Sequence, residues 1–147
     1  MVSGENLIER GDCPPCPSWG VKGDINKASE MLRVGKAALA AAEAPVEAAV
    51  SAYLGRLPSL WLSIDDEPGP GSLRGLIERN VIALASGLHE PVIDPPSSSW
   101  LGLYSGRDKV RRSGLWNQRH VDEKYAPSFL DLLEPTIERN ADHSAIA

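Results

Sequence analysis

The sequence predicts a mixed α/β chain, mostly helical with few short strands. Three observations lead there. Val46, Ala49, Val50, Tyr53, Leu54 and Leu57 recur at the spacing of one helical face. Leu60-Trp61-Leu62-Ser63-Ile64 is a short apolar, aromatic run of the kind that forms a buried strand. The 13 Gly and 12 Pro among 147 residues divide the chain into short elements with many turns.

A chain of 147 residues suits one domain, 1–147, with residues 1–25 as a loop-rich lead-in and 141–147 as a frayed tail. Glu5 to Arg10 can form a helical turn before Gly11-Asp12-Cys13-Pro14-Pro15-Cys16-Pro17, where the prolines remove donors and fix φ. Asn26 to Ala42 is Ala-rich and reads as a helix. Pro45 fits the first turn of a second helix, which carries the stripe from Val46 and ends at Pro58. After the strand, Asp65 to Gly71 is an acidic turn. Ser72 then caps a helix bearing Leu73, Leu76, Ile77, Val81 and Leu84, with Gly87 placed to stop it. Leu88 to Gly106 reads as a loop and Arg107 to Arg112 as one helical turn. A last helix begins near Pro127, with Phe129, Leu130, Leu133 and Ile137 on its apolar side and Pro135 expected to kink or shorten it.

One strand cannot satisfy its own backbone groups. Its neighbours must come from other segments, from a second chain, or from a part of the protein outside this sequence.

The balance of 20 acidic and 15 basic side chains, net −5, gives no global attraction to nucleic acid, so such binding must come from a local patch. No apolar stretch is long enough to span a membrane, and the first residues lack the pattern of a signal peptide. The default compartment is the cytoplasm, where two cysteines make no disulfide framework.

Arg107, Lys109, Arg111, Arg112 and Arg119 cluster around Trp116, with Asp108 the only acid in the same stretch. Cations beside an aromatic plane suit phosphate contact and base stacking, making DNA a candidate partner. The competing reading has Leu115 and Trp116 anchoring the loop while the basic groups face water. Cys13 and Cys16 have CxxC spacing, but no strand precedes them and no further ligand lies nearby, so two free thiols on a loop are expected. Asp65, Asp66 and Glu67 form either a cation site or a solvated turn, the latter favoured.

Several strings carry a family resemblance. They are Trp61-Leu62-Ser63-Ile64-Asp65-Asp66-Glu67-Pro68-Gly69-Pro70-Gly71-Ser72, Ile77-Glu78-Arg79-Asn80, Asp94-Pro95-Pro96, Trp100-Leu101-Gly102, Ser113-Gly114-Leu115-Trp116-Asn117 and His120-Val121-Asp122-Glu123. With Gly4-Glu5-Asn6-Leu7-Ile8 and Ser18-Trp19-Gly20, the sequence resembles a bacterial GIY-YIG nuclease-like family over most of its length. Ile25 to Ala41 fits least well.

The resemblance implies an incomplete GIY-YIG-like α/β unit, whose front half would supply two strands, an arginine-bearing helix and tyrosines. No GIY or YIG string is present; Arg33-Val34-Gly35-Lys36 is the nearest and lies in a helical context. Glu78 matches the family's catalytic metal ligand, a carboxylate for Mg²⁺ or another divalent metal. Without the family, an ion pair with Arg74 one turn earlier is the expected role of Glu78. Gly87 stands where the pattern has an asparagine. The resemblance thus implies a truncated nuclease-like protein, inactive alone and related to metal-dependent hydrolysis of phosphodiesters. Its expected partners are a second copy or the missing amino-terminal half. The alternative is a non-catalytic protein–protein interaction module docking through the strand edge.

Overall fold

Every regular element among the described residues is helical. The computed structural model describes residues 4–21, 24–59, 61–69, 71–89 and 92–144, without the side chains of 142–144. In order they form α1 (Gly4–Arg10), α2 (Ile25–Leu32), α3 (Lys36–Leu54), α4 (Leu73–Ala85), a 3₁₀ turn (Leu101–Tyr104), α5 (Asp108–Ser113), a second 3₁₀ turn (Pro127–Phe129) and α6 (Leu130–Ser144).

The mixed α/β expectation is therefore corrected: no strand or sheet forms among the described residues. Of the expected strand, Leu60 lies outside them, and Trp61 to Ile64 are irregular. Trp61 is 77% exposed and Leu62 also faces solvent. The physical reason is the absence of a pairing neighbour, without which a β conformation leaves its ladder groups unmade. No helix among the described residues is long and apolar enough to cross a membrane.

The residues fall into two compact units. The first, Met1–Pro58 with Ser97–Arg111, packs α1 against α3 and the Leu101–Tyr104 turn, and α2 against α3. Leu7, Ala28, Leu39, Val46, Leu101 and Val110 are its buried apolar residues, joined by Cys13 and Cys16. Gly4 permits the α1 contact: a Cβ there would fall 2.2 Å from the Trp19 ring and 2.4 Å from Val46.

The helix expected over Asn26 to Ala42 is two helices. Asp24 starts α2, its carboxylate accepting from the N–H groups of Asn26 and Lys27 at 3.0 and 3.1 Å. Arg33 stops it in the left-handed conformation, φ 55°, with the Ser29 hydroxyl donating to Val34 O at 2.7 Å. α3 then continues through Pro45, which was expected to open a helix, and ends at Leu54 rather than at Pro58. Its stripe is buried at Val46 and emerges toward the end, leaving Leu54 and Leu57 exposed.

The second unit is Ser59–Pro96 with Arg112–Ala147. Ser72 caps α4 as expected, its hydroxyl accepting from Gly75 N at 3.0 Å. The buried face of α4 is Ile77, Ile82 and Ala83, while Leu76 and Val81 are exposed. α4 contacts the Pro127–Phe129 turn. There Phe129 is buried and meets Tyr125 edge to face at 5.9 Å. α6 runs through Pro135 to Ser144, so the proline does not end it.

The Glu78 helix and candidate nucleic-acid contacts

Glu78 projects from α4 as an exposed carboxylate. Arg74, one turn before it, turns away to Asp66. Its guanidinium donates to Asp66 Oδ1 at 3.2 Å and to the Asp66 carbonyl at 3.0 Å, and its backbone N–H donates to Asp66 Oδ2 at 3.2 Å. The expected Arg74–Glu78 pair is thus replaced by one that ties the acidic turn to the start of α4, where a carboxylate also complements the helix dipole.

No group of three or more His, Cys, Asp or Glu side chains converges on a possible metal position among the described residues. Mg²⁺ needs near-octahedral oxygen donors and can keep several waters. Asp66 is held by Arg74, and the Glu78 carboxylate by itself would leave most of those positions to water or to a phosphate.

Gly87 is enclosed by backbone. Its N–H donates to Ser113 O at 2.7 Å, and a Cβ would meet the carbonyl oxygens of Arg112 and Ser113 at 3.1 and 3.2 Å. An asparagine here would have to move this backbone.

The residues flanking Glu78 form a clamp that sequence reasoning missed. Arg79 pairs with Glu123, which also accepts from His120 Nδ1 at 2.8 Å. Hydrogen bonds from His120 and then from Arg79 hold the Glu123 carboxyl below the usual range. Asn80 Oδ1 accepts from Ala126 N at 2.7 Å, and Ser86 donates to Val121 O at 2.6 Å. Two of the strings that carry the resemblance, Ile77 to Asn80 and His120 to Glu123, therefore meet in space, with Glu78 outside the joint. Their separation in sequence left no local signal of this.

Arg107, Lys109, Arg111, Arg112 and Arg119 are all exposed, and Trp116 is half-buried beside half-buried Leu115. The first three belong to the first unit; Arg112, Trp116 and Arg119 belong to the second. The Arg111 guanidinium bonds the Ser105 carbonyl and reaches Asp108 at 3.3 Å. It holds the approach to α5 in place.

Cys13 and Cys16 are free thiols on the irregular segment after α1, as expected, and both are buried. Burial, followed by the charge of Asp12, raises the Cys13 thiol above its ordinary pKa. Cys16 lies 3.4 Å from the Ser18 hydroxyl. An activated redox thiol needs the opposite environment.

A family model described as the GIY-YIG domain matches residues 2–143. No curated protein and no solved structure matches the chain. With the family match running from before α1 to the last turns of α6, the chain belongs to the GIY-YIG domain family.

Proposed function

We propose that the chain is a nucleic-acid-binding member of the GIY-YIG family that does not cleave phosphodiesters by itself. The observation that carries this reading is the exposure of Glu78, which the resemblance matches to the family's metal ligand, where no group of three or more His, Cys, Asp or Glu side chains converges among the described residues. The exposed side chains of Arg107 and Lys109 supply phosphate-binding chemistry. DNA is the polymer that the family's nuclease character favours. Any Mg²⁺ would reach Glu78 together with a phosphate ligand, so the free chain should bind it weakly.

The test is incubation of labelled single- and double-stranded DNA with the chain in Mg²⁺ or Mn²⁺. Retarded but intact DNA is the expected result. Metal-dependent cleavage that disappears in Glu78→Ala would overturn the reading.

A second reading, a protein–protein interaction module, is favoured by the 77% exposure of Trp61 in its irregular segment. Concentration-dependent sedimentation that Trp61→Ala abolishes would support it.

A further inference from the structure

The string Trp100-Leu101-Gly102 takes no part in the Glu78 helix. In the first unit its Trp100 lines a groove of about 700 Å³, bounded also by Arg10, Tyr53, Arg56, Ser99 and Tyr104. That volume lies within the range of small-ligand clefts, ~300–1,000 Å³.

We propose that this groove holds one nucleotide of a single-stranded nucleic acid, its base against Trp100 and Tyr104 and its phosphate at Arg56; the proposal rests on the nucleic-acid-binding reading above.

The aromatic wall is fixed before any ligand arrives. The Trp100 ring lies over Gly102, where a Cβ would come within 2.1 Å of it. No residue with a side chain fits beneath that ring without displacing it. Tyr104, on the same 3₁₀ turn, is 39% exposed and presents ring surface to the groove. Base stacking on such a surface tolerates any sequence, because every base has a π face.

The two arginines of the groove differ in their freedom. Arg10 Nη1 donates to the Ser99 carbonyl at 2.9 Å, its guanidinium pairs with Asp12, and it sits 5.9 Å over the Tyr53 ring. Its charge is balanced and its position set, so it acts as part of the wall. Arg56, just beyond α3, is exposed and pairs with no acid among the described residues. No described carboxylate lines the groove.

Aromatic faces beside one uncompensated cation are complementary to a base joined to a phosphate. An unpaired strand offers its bases for stacking, whereas a duplex keeps them inside. A preference for single strands therefore follows from the geometry.

The test uses the full chain and fluorescence anisotropy of a labelled oligothymidylate, with a hairpin duplex for comparison. The single strand should bind more tightly. Arg56→Ala and Tyr104→Ala should each weaken it by about tenfold, and Tyr104→Phe, which keeps the ring, should restore binding. Circular dichroism identifies any variant that fails to fold. Arg56→Ala, at an exposed position, keeps the test decisive if Tyr104→Ala unfolds. If the wild-type chain binds neither strand nor duplex, this proposal and the broader reading both fall. Binding that these variants leave unchanged, but Arg107→Gln with Lys109→Gln removes, overturns the groove alone. Competition by a free mononucleotide at the strand's own affinity would assign the groove to nucleotides and overturn the strand.

Discussion

The side-chain amide of Asn140 bonds both backbone groups of Ser63. Ser63 N–H donates to Asn140 Oδ1 at 2.7 Å, and Asn140 Nδ2 donates to Ser63 O at 3.2 Å. The same Nδ2 donates to Thr136 O, one helical turn earlier, at 2.8 Å. One carboxamide on α6 thereby gives this segment the donor and acceptor that a neighbouring strand would supply.

Asn140→Ala should release Ser63 while leaving α6 helical. Both bonds are solvent-exposed, so the expected loss is about 1 kcal/mol. Amide exchange at Ser63 should accelerate. Exchange unchanged by the substitution would show that the amide does not hold the segment.

Glu123 should make stability depend on pH in the acid range. Its folded pKa lies below its ordinary value because His120, then Arg79, bonds the charged form. The unfolded chain therefore takes up this proton at a higher pH than the folded chain. The contribution is fully present above the unfolded value, ~4.3, and is lost as pH falls through the folded one. Glu123→Gln should be less stable than wild type at neutral pH, and the gap should close in acid. Denaturant midpoints measured from neutral pH downward check this, and a gap independent of pH would contradict it.

Arg111 and its basic neighbours should separate by salt dependence. Arg111→Gln removes the bonds to the Ser105 carbonyl and Asp108, and should lower stability by about 0.5–1.5 kcal/mol. It should leave the salt slope of DNA binding in place. Arg107→Gln with Lys109→Gln should reduce that slope by up to ~0.9 for each phosphate contact removed from a duplex. A slope that falls only in Arg111→Gln would reverse these roles.

Much of the helical frame was legible because its signals are local. Ser72 names the start of α4 through its hydroxyl, and Pro127 marks the turn that leads into α6. The strand was misread because the aromatic run from Leu60 to Ile64 suggests burial, while a strand also requires a partner that no local pattern can guarantee. The break at Arg33 was hidden because an arginine at positive φ has no compositional mark; Gly35 nearby is the only hint. Glu78 was singled out through the family resemblance, and neither its exposure nor the Arg74–Asp66 pairing that leaves it alone could be read from spacing. The clamp of Arg79, His120 and Glu123 needs two segments to meet, which sequence distance conceals. The Trp100 groove was invisible for the same reason, since Arg10, Tyr53 and Tyr104 come together only in the folded unit.

Cys13 and Cys16 give the first unit an internal clock. A thiol reagent reacts with the thiolate and must reach it, and both sulfurs lie in residues less than a tenth exposed. Modification must therefore wait for the loop after α1 to open. When closing outpaces reaction, the labelling rate reports the population of that opening; when reaction is faster, it reports the opening rate itself. Two natural cysteines three positions apart thus record the local breathing of the loop beside α1 without any added probe.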